Sequence, residues 1–126
     1  EEKSRTAHIE YKQRFRKFFT NFDVIATPTT ATTAFPLGKR PEVIEGQQVS
    51  WLWGAFPFTS PFNVSGNPAV SLPCGLCEDL PVGLQLIGRW NADELLLNLS
   101  EDMESLLAFD DRLVRKKWSQ KMRNNE

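Results

Sequence analysis

Tyr11, Phe15, Phe18 and Phe22 fall at i, i+4, i+7 and i+11, the spacing of one helical face, and predict a helix over residues 1–22. Lys12, Arg16 and Lys17 lie on its other faces, where water would solvate them. The segment opens without an N-cap residue, as expected of a helix cut within a longer one. Residues 22–26 (Phe-Asp-Val-Ile-Ala) then read as a short strand stopped at Thr27-Pro28. Residues 27–50 hold Pro28, Pro36, Gly38, Pro41 and Gly46 with little periodicity, a long loop of the kind that usually lines something. Residues 51–68 are aromatic-rich, with Trp51, Trp53, Phe56, Phe58 and Phe62 interrupted by Gly54, Pro57 and Pro61. Proline there limits any helix to a turn or two.

Residues 69–73 and 82–88 read as strands, and the segment between them suits an antiparallel connection. Asn91, with Glu94 three residues on, has the pattern of a capping box opening a second helix. Ala92, Leu95, Leu96, Leu99, Met103 and Leu106 give that helix its apolar face. Asp93 and Glu94 would sit in its first turn, where the macrodipole favours negative charge. From Arg112 the tail is basic, and its interleaved Val114, Trp118 and Met122 suit a helix with one docked side better than a nucleic-acid patch. In residues 82–88, Val82, Leu84 and Leu86 point one way while Ile87 joins Gly83 and Gln85 on the other. Strands apolar on both faces belong inside a sheet covered by helices on each side, which predicts an α/β fold. Few strands and helices are visible to complete such a sheet, so neighbouring elements are expected beyond this segment.

At 126 residues the chain suffices for one domain, and its net charge of -1 gives no global reason to expect nucleic acid or a membrane. No apolar run approaches the roughly 18 residues of a membrane span. The first twenty residues lack the apolar stretch of a signal peptide, and the location expected is cytoplasmic. Cys74 and Cys77 are spaced C-x-x-C, but the only histidine, His8, is far away, and no helix start follows to lower a thiol pKa. They read as two reduced thiols at a strand end. No nucleophile elbow, dinucleotide fingerprint, phosphate loop or zinc-protease motif is present; the nearest Ser-Gly is Val64-Ser65-Gly66. The acidic pairs Asp110-Asp111 and Glu78-Asp79 read as solvated surface. Asn63 and Asn98 open glycosylation sequons, which matter only in a secreted protein. No catalytic residue and no metal site can be assembled from the chain by itself.

Five blocks carry a resemblance. Residues 22–29 (FDVIATPT), 57–69 (PFTSPFNVSGNPA), 71–75 (SLPCG), 80–88 (LPVGLQLIG) and Ala92-Asp93-Glu94 with Leu97 resemble, in order and spacing, the C-terminal blocks of amidase-signature enzymes. The resemblance covers about residues 9–107, leaving 108–126 as a basic C-terminal tail. It implies the C-terminal part of an α/β/α sandwich around a mixed β-sheet. It implies amide hydrolysis by a serine nucleophile, aided by a second serine and a lysine that lie upstream and outside this chain, with no cofactor. The partners implied are a small-molecule amide and the remainder of the amidase domain, with no nucleic acid and no membrane. Family members that act on glutamine carry an aspartate two residues before the Phe-Thr of the second block; here that position is Phe56. This points to an apolar or aryl amide, with Trp51, Trp53 and Phe56 as substrate-pocket wall. Asn63, Gly66 and Pro68 would shape the backbone around it. Two other functions stay open: an inactive fragment serving as an interaction module, and the A subunit of a glutamine-dependent aminoacyl-tRNA amidotransferase.

Overall fold

The computed structural model describes residues 2–123. In chain order they form α1 (Glu2–Phe18), β1 (Val24–Pro28), β2 (Val43–Ile44), β3 (Gln47–Gln48), α2 (Ser60–Ser65), β4 (Ala69–Cys77), β5 (Leu80–Gly88), α3 (Asp93–Leu107) and α4 (Asp111–Arg123). β5 is the middle strand of an antiparallel sheet ordered β1-β5-β4, and β2 and β3 form a separate small hairpin.

The two-sided apolar pattern of β5 places it in the middle. On one face Leu86 packs with Leu72 of β4 and Leu96 of α3, joined by Val24, Val70 and Leu84. On the other, Ile87 packs against Phe19 and Phe62, with Phe15 and Ile25 beside them. The register pairs Ile87 with Ile25 on one side and Ala69 on the other. The sheet is thus covered on both faces, by α3 on one and by the α1 end and α2 on the other, which is the α/β layering expected.

The aromatic stripe of α1 is shifted by one position. Phe19, just past the last helical turn, is buried against the sheet, whereas Phe18 and Phe22 are 43% and 53% exposed and stack on each other. The helix ends at Phe18, so the i, i+4 pair Phe15 and Phe19 is the one facing Ile87 as the chain turns toward β1. Tyr11 donates its hydroxyl to the Pro61 carbonyl at 3.2 Å, and burial raises its pKa.

The expected capping box is not formed either. Asn91 has φ 61, and the residue before α3 is Ala92, with no side-chain cap. The chain turns sharply between β5 and α3, and the turn uses the tolerance of asparagine for left-handed backbone. Asp93 and Glu94 do occupy the first turn. The apolar face runs through Ala92, Leu96, Leu99, Met103 and Leu107; Leu95 is partly out, and Leu106 is 79% exposed.

β4 continues through Cys77 instead of stopping at Pro73. A bulge between Pro73 and Gly75 absorbs the irregular stretch, and Glu78 and Asp79, both at positive φ (51 and 65), close a two-residue hairpin. Proline is tolerated because β4 has a strand neighbour on one side only among the described residues. The 27–50 loop is interrupted by the β2–β3 hairpin, which turns at Glu45 and Gly46 with φ 48 and 73. α2 begins with Pro61 in its first turn and ends at Gly66 in left-handed geometry, the short helix the prolines allowed.

In α4, Arg112 pairs with Asp110 at 2.8 Å and Arg115 with Asp111 at 2.9 Å. The Arg112 guanidinium and backbone N–H hold the Asp110 carboxyl below its usual pKa. Val114 is half-buried, while the side chains of Trp118 and Met122, expected on the docked side, lie outside the described residues.

Candidate functional site

The C-terminal ends of β1 and β4 and the start of β5 meet the loop at residues 30–33 around a hollow of about 720 Å³. Its walls include Ala26, Thr27, Pro28, Thr30–Thr33, Ile44, Phe58, Cys74, Cys77 and Val82–Leu84, with Glu45 the one carboxylate among them. A second hollow of about 380 Å³ shares Ala31 and Ile44 with the first and is completed by Val49, Ser50, Trp53, Gly54, Pro57 and Ser60. The two therefore adjoin across the base of the long loop. The prolines at 28 and 57 explain why neither segment continues as regular structure over the opening.

Gln85 organises the larger hollow from behind. It is a buried polar residue in the central strand, and its amide nitrogen donates to the Thr27 hydroxyl at 3.0 Å and to the Phe58 carbonyl at 2.8 Å. That second bond fixes the aromatic segment to the sheet. The Thr29 and Ser71 hydroxyls bond at 2.6 Å across the face of Gly83, and the Thr29 N–H donates to the Gly83 carbonyl at 2.9 Å. A Cβ on Gly83 would lie 2.6 Å from the Thr29 hydroxyl oxygen and 2.8 Å from that of Ser71. Gly83→Ala is therefore expected to break the hydroxyl pair and destabilise the protein by about 1–3 kcal/mol, read as a lower denaturation midpoint. An unchanged midpoint would show that the sheet end yields without strain.

The predicted wall residues are divided by the structure. Trp53 borders the smaller hollow. Trp51 and Phe56 instead flank Arg40, whose guanidinium carbon lies 5.0 Å and 5.8 Å from their ring centroids. Arg40 also donates to the Leu52 carbonyl at 2.9 Å, so it binds the loop to the aromatic turn. Trp51 and Trp53 are 59% and 60% exposed. None of the three is among the residues bordering the larger hollow. Asn63 is exposed on α2, Gly66 caps that helix, and Pro68 accepts a backbone bond from Gly88 at 3.0 Å. Sequence reasoning overlooked Gln85, Thr27 and Phe58; a lone amide within the apolar run Val82–Ile87 was the available signal.

Among the described residues, no serine is hydrogen-bonded to a lysine or histidine, and no three His, Cys, Asp or Glu side chains are placed to hold a metal ion. The arrangement can hold an apolar group beside threonine hydroxyls. No helix of the described residues is long and apolar enough to cross a membrane.

The sequence model of the Amidase family matches residues 1–97. The chain belongs to the amidase signature family. The proteins it resembles include amidotransferase A subunits and an aryl acylamidase. It is 38% identical over 98 residues to the A subunit of the glutamyl-tRNA(Gln) amidotransferase of Clostridium botulinum strain Kyoto, covering 78% of this chain and 19% of that protein. Its fold resembles that of a bacterial aryl acylamidase of the same family, with a TM-score of 0.75 at 26% identity, covering 86% of this chain and 23% of the other. It also resembles the A subunit of the Thermotoga maritima glutamyl-tRNA(Gln) amidotransferase, with a TM-score of 0.59 at 35% identity, covering 73% of this chain and 19% of the other. The chain thus spans about a fifth of the length of the curated relative it matches.

Proposed function

We propose that this chain is the C-terminal part of an amidase that hydrolyses small apolar or aryl amides. In this reading it supplies one wall of the substrate pocket, and the two serines and the lysine belong to the remainder of the amidase domain. The observation that carries the reading is the hollow at the strand ends, walled mainly by apolar side chains and braced by Gln85 through Thr27 and Phe58. Such a surface desolvates an acyl or aryl group and orients it by a few polar contacts. Phe58 and Leu84 would contact the apolar part of the substrate, and the Thr27 and Thr30 hydroxyls its polar edge. Trp51 and Phe56, held by Arg40, and Trp53, beside the adjoining hollow, would form the outer rim.

The rest of the domain would cover what this chain leaves open. β1 and β4 each have one strand neighbour among the described residues, and Phe18 and Phe22 present an exposed aromatic pair. Attack on the amide carbonyl, proton transfer through the bridging serine and hydrolysis of the acyl-enzyme are steps for the missing groups. The part of these residues is to hold the acyl group and exclude water from it.

The 38% identity to the A subunit of a glutamyl-tRNA(Gln) amidotransferase favours a second reading, in which the intact protein releases ammonia from glutamine for use by a partner protein. Phe56 weighs against it, since an aromatic ring offers no charge to an α-ammonium group. Assaying the full-length protein on an aryl anilide and on glutamine separates the two. Amine release from the anilide, with little ammonia from glutamine, is expected, and the 126-residue chain alone should release neither. Glutamine as the better substrate would establish the second reading, and activity of the isolated chain would overturn both.

A further inference from the structure

We propose that Cys74 and Cys77 form a paired thiol modification site on the wall of the larger hollow, open to a low-molecular-weight disulfide, and that an adduct there closes the hollow. In a regular strand, residues three apart point to opposite faces. β4 is not regular: its pairing with β5 steps from Pro73↔Gly83 to Gly75↔Val82, leaving Cys74 as the extra residue. The bulge cancels the odd spacing, and both cysteines border the same hollow. Both are free and exposed. The Cys74 thiol donates to the Val82 carbonyl at 3.5 Å, which turns its sulfur toward β5, and a Cβ added to the neighbouring Gly75 would meet nothing within 4 Å.

The spacing also keeps the two thiols from joining each other. With the bulge they resemble an i, i+2 pair, whose Cα atoms stand about 7 Å apart, at or beyond the reach of a disulfide. Gly75, Leu76 and Cys77 are held in register by the ladder to β5, so the backbone resists closing that gap. Each cysteine is therefore left to react with a diffusing partner. A thiol first loses its proton to solvent, and the thiolate attacks one sulfur of the external disulfide. A new S–S bond forms to the cysteine, the external S–S bond breaks, and the second half leaves as a thiolate. An added dithiol reverses the exchange.

The consequence for catalysis rests on the proposed amidase function; formation of the adduct does not. The test treats the full-length protein and its Cys74→Ser/Cys77→Ser double variant with glutathione disulfide. Each treated sample is compared with its own untreated sample by peptide mass mapping and by aryl anilide hydrolysis. Adducts on both cysteines of the folded protein are expected, with a roughly tenfold or greater loss of hydrolysis that dithiothreitol restores and the double variant does not show. Unlabelled cysteines in the folded protein overturn the site, and labelled cysteines with unchanged hydrolysis overturn the closure. If the untreated protein hydrolyses no amide, the amidase reading fails, and labelling of both cysteines alone then upholds or overturns the site.

Discussion

Ile87→Ala is expected to destabilise the protein by about 2–5 kcal/mol, the range for truncating a fully buried aliphatic side chain. Ile87 is 0% exposed and stands at the crossing of every layer on its side of the sheet. Ile25 and Ala69 are its partners on the adjacent strands, and Phe19 and Phe62 close over it from the end of α1 and from α2. The loss combines the transfer energy of the removed methyl groups with the cavity that remains. Two aromatic rings anchored in different elements cannot both collapse into that space. Leu37→Ala is the control, because Leu37 is fully exposed and its truncation should fall within about 0.5 kcal/mol of the parent. Urea denaturation of both variants decides the matter: comparable midpoints would mean that the Phe19–Phe62 face is not the core described.

The second large effect comes from a polar group. Asn67→Leu is expected to cost about 2–4 kcal/mol although it adds apolar surface. The Asn67 carbonyl oxygen accepts the Ser65 hydroxyl at 2.6 Å, and its amide nitrogen donates to the Gly88 carbonyl at 2.8 Å. The Trp90 indole N–H donates to the Ser65 carbonyl at 3.0 Å, so the end of α2, the end of β5 and the turn into α3 are joined at one place. Ser65 and Asn67 are both buried, and leucine would strand the Gly88 carbonyl away from water and leave the serine hydroxyl only its longer bond to the Phe62 carbonyl at 3.3 Å. Adding Ser65→Ala removes the hydroxyl that has lost its shorter bond, so the double variant should recover part of the loss. Additive losses in a double-mutant cycle would show that the two side chains do not act together.

Much of the fold was legible because burial leaves a periodic trace. The two-sided apolar run of β5 announced a covered central strand, and the spacing of Leu96, Leu99 and Met103 announced the helix that covers one face. The prolines of residues 51–68 correctly limited α2, since proline acts through local sterics. Errors fell where two local solutions were equally good. Asn91 can cap a helix or adopt left-handed backbone, and the turn out of β5 selected the second. Phe18 and Phe19 are adjacent aromatics, and only the point at which α1 ends decides which of them meets Ile87.

The candidate site shows the same division. Aromatic content drew attention to Trp51, Trp53 and Phe56, yet residues that close in sequence serve different ends: one borders a hollow and two carry Arg40. Gln85 could not be tied to Phe58 from the sequence, because that bond spans 27 residues and depends on where the aromatic turn docks.

Family, α/β class and the lack of a recognisable catalytic motif could all be read from the order and spacing of residues, which survive without coordinates. Which side chains share a cavity emerged with the folded chain alone. One extra residue in β4 reversed the facing of Cys74 relative to Cys77, and strand pairing, which no local pattern encodes, brought Thr29, Ser71 and Gly83 together.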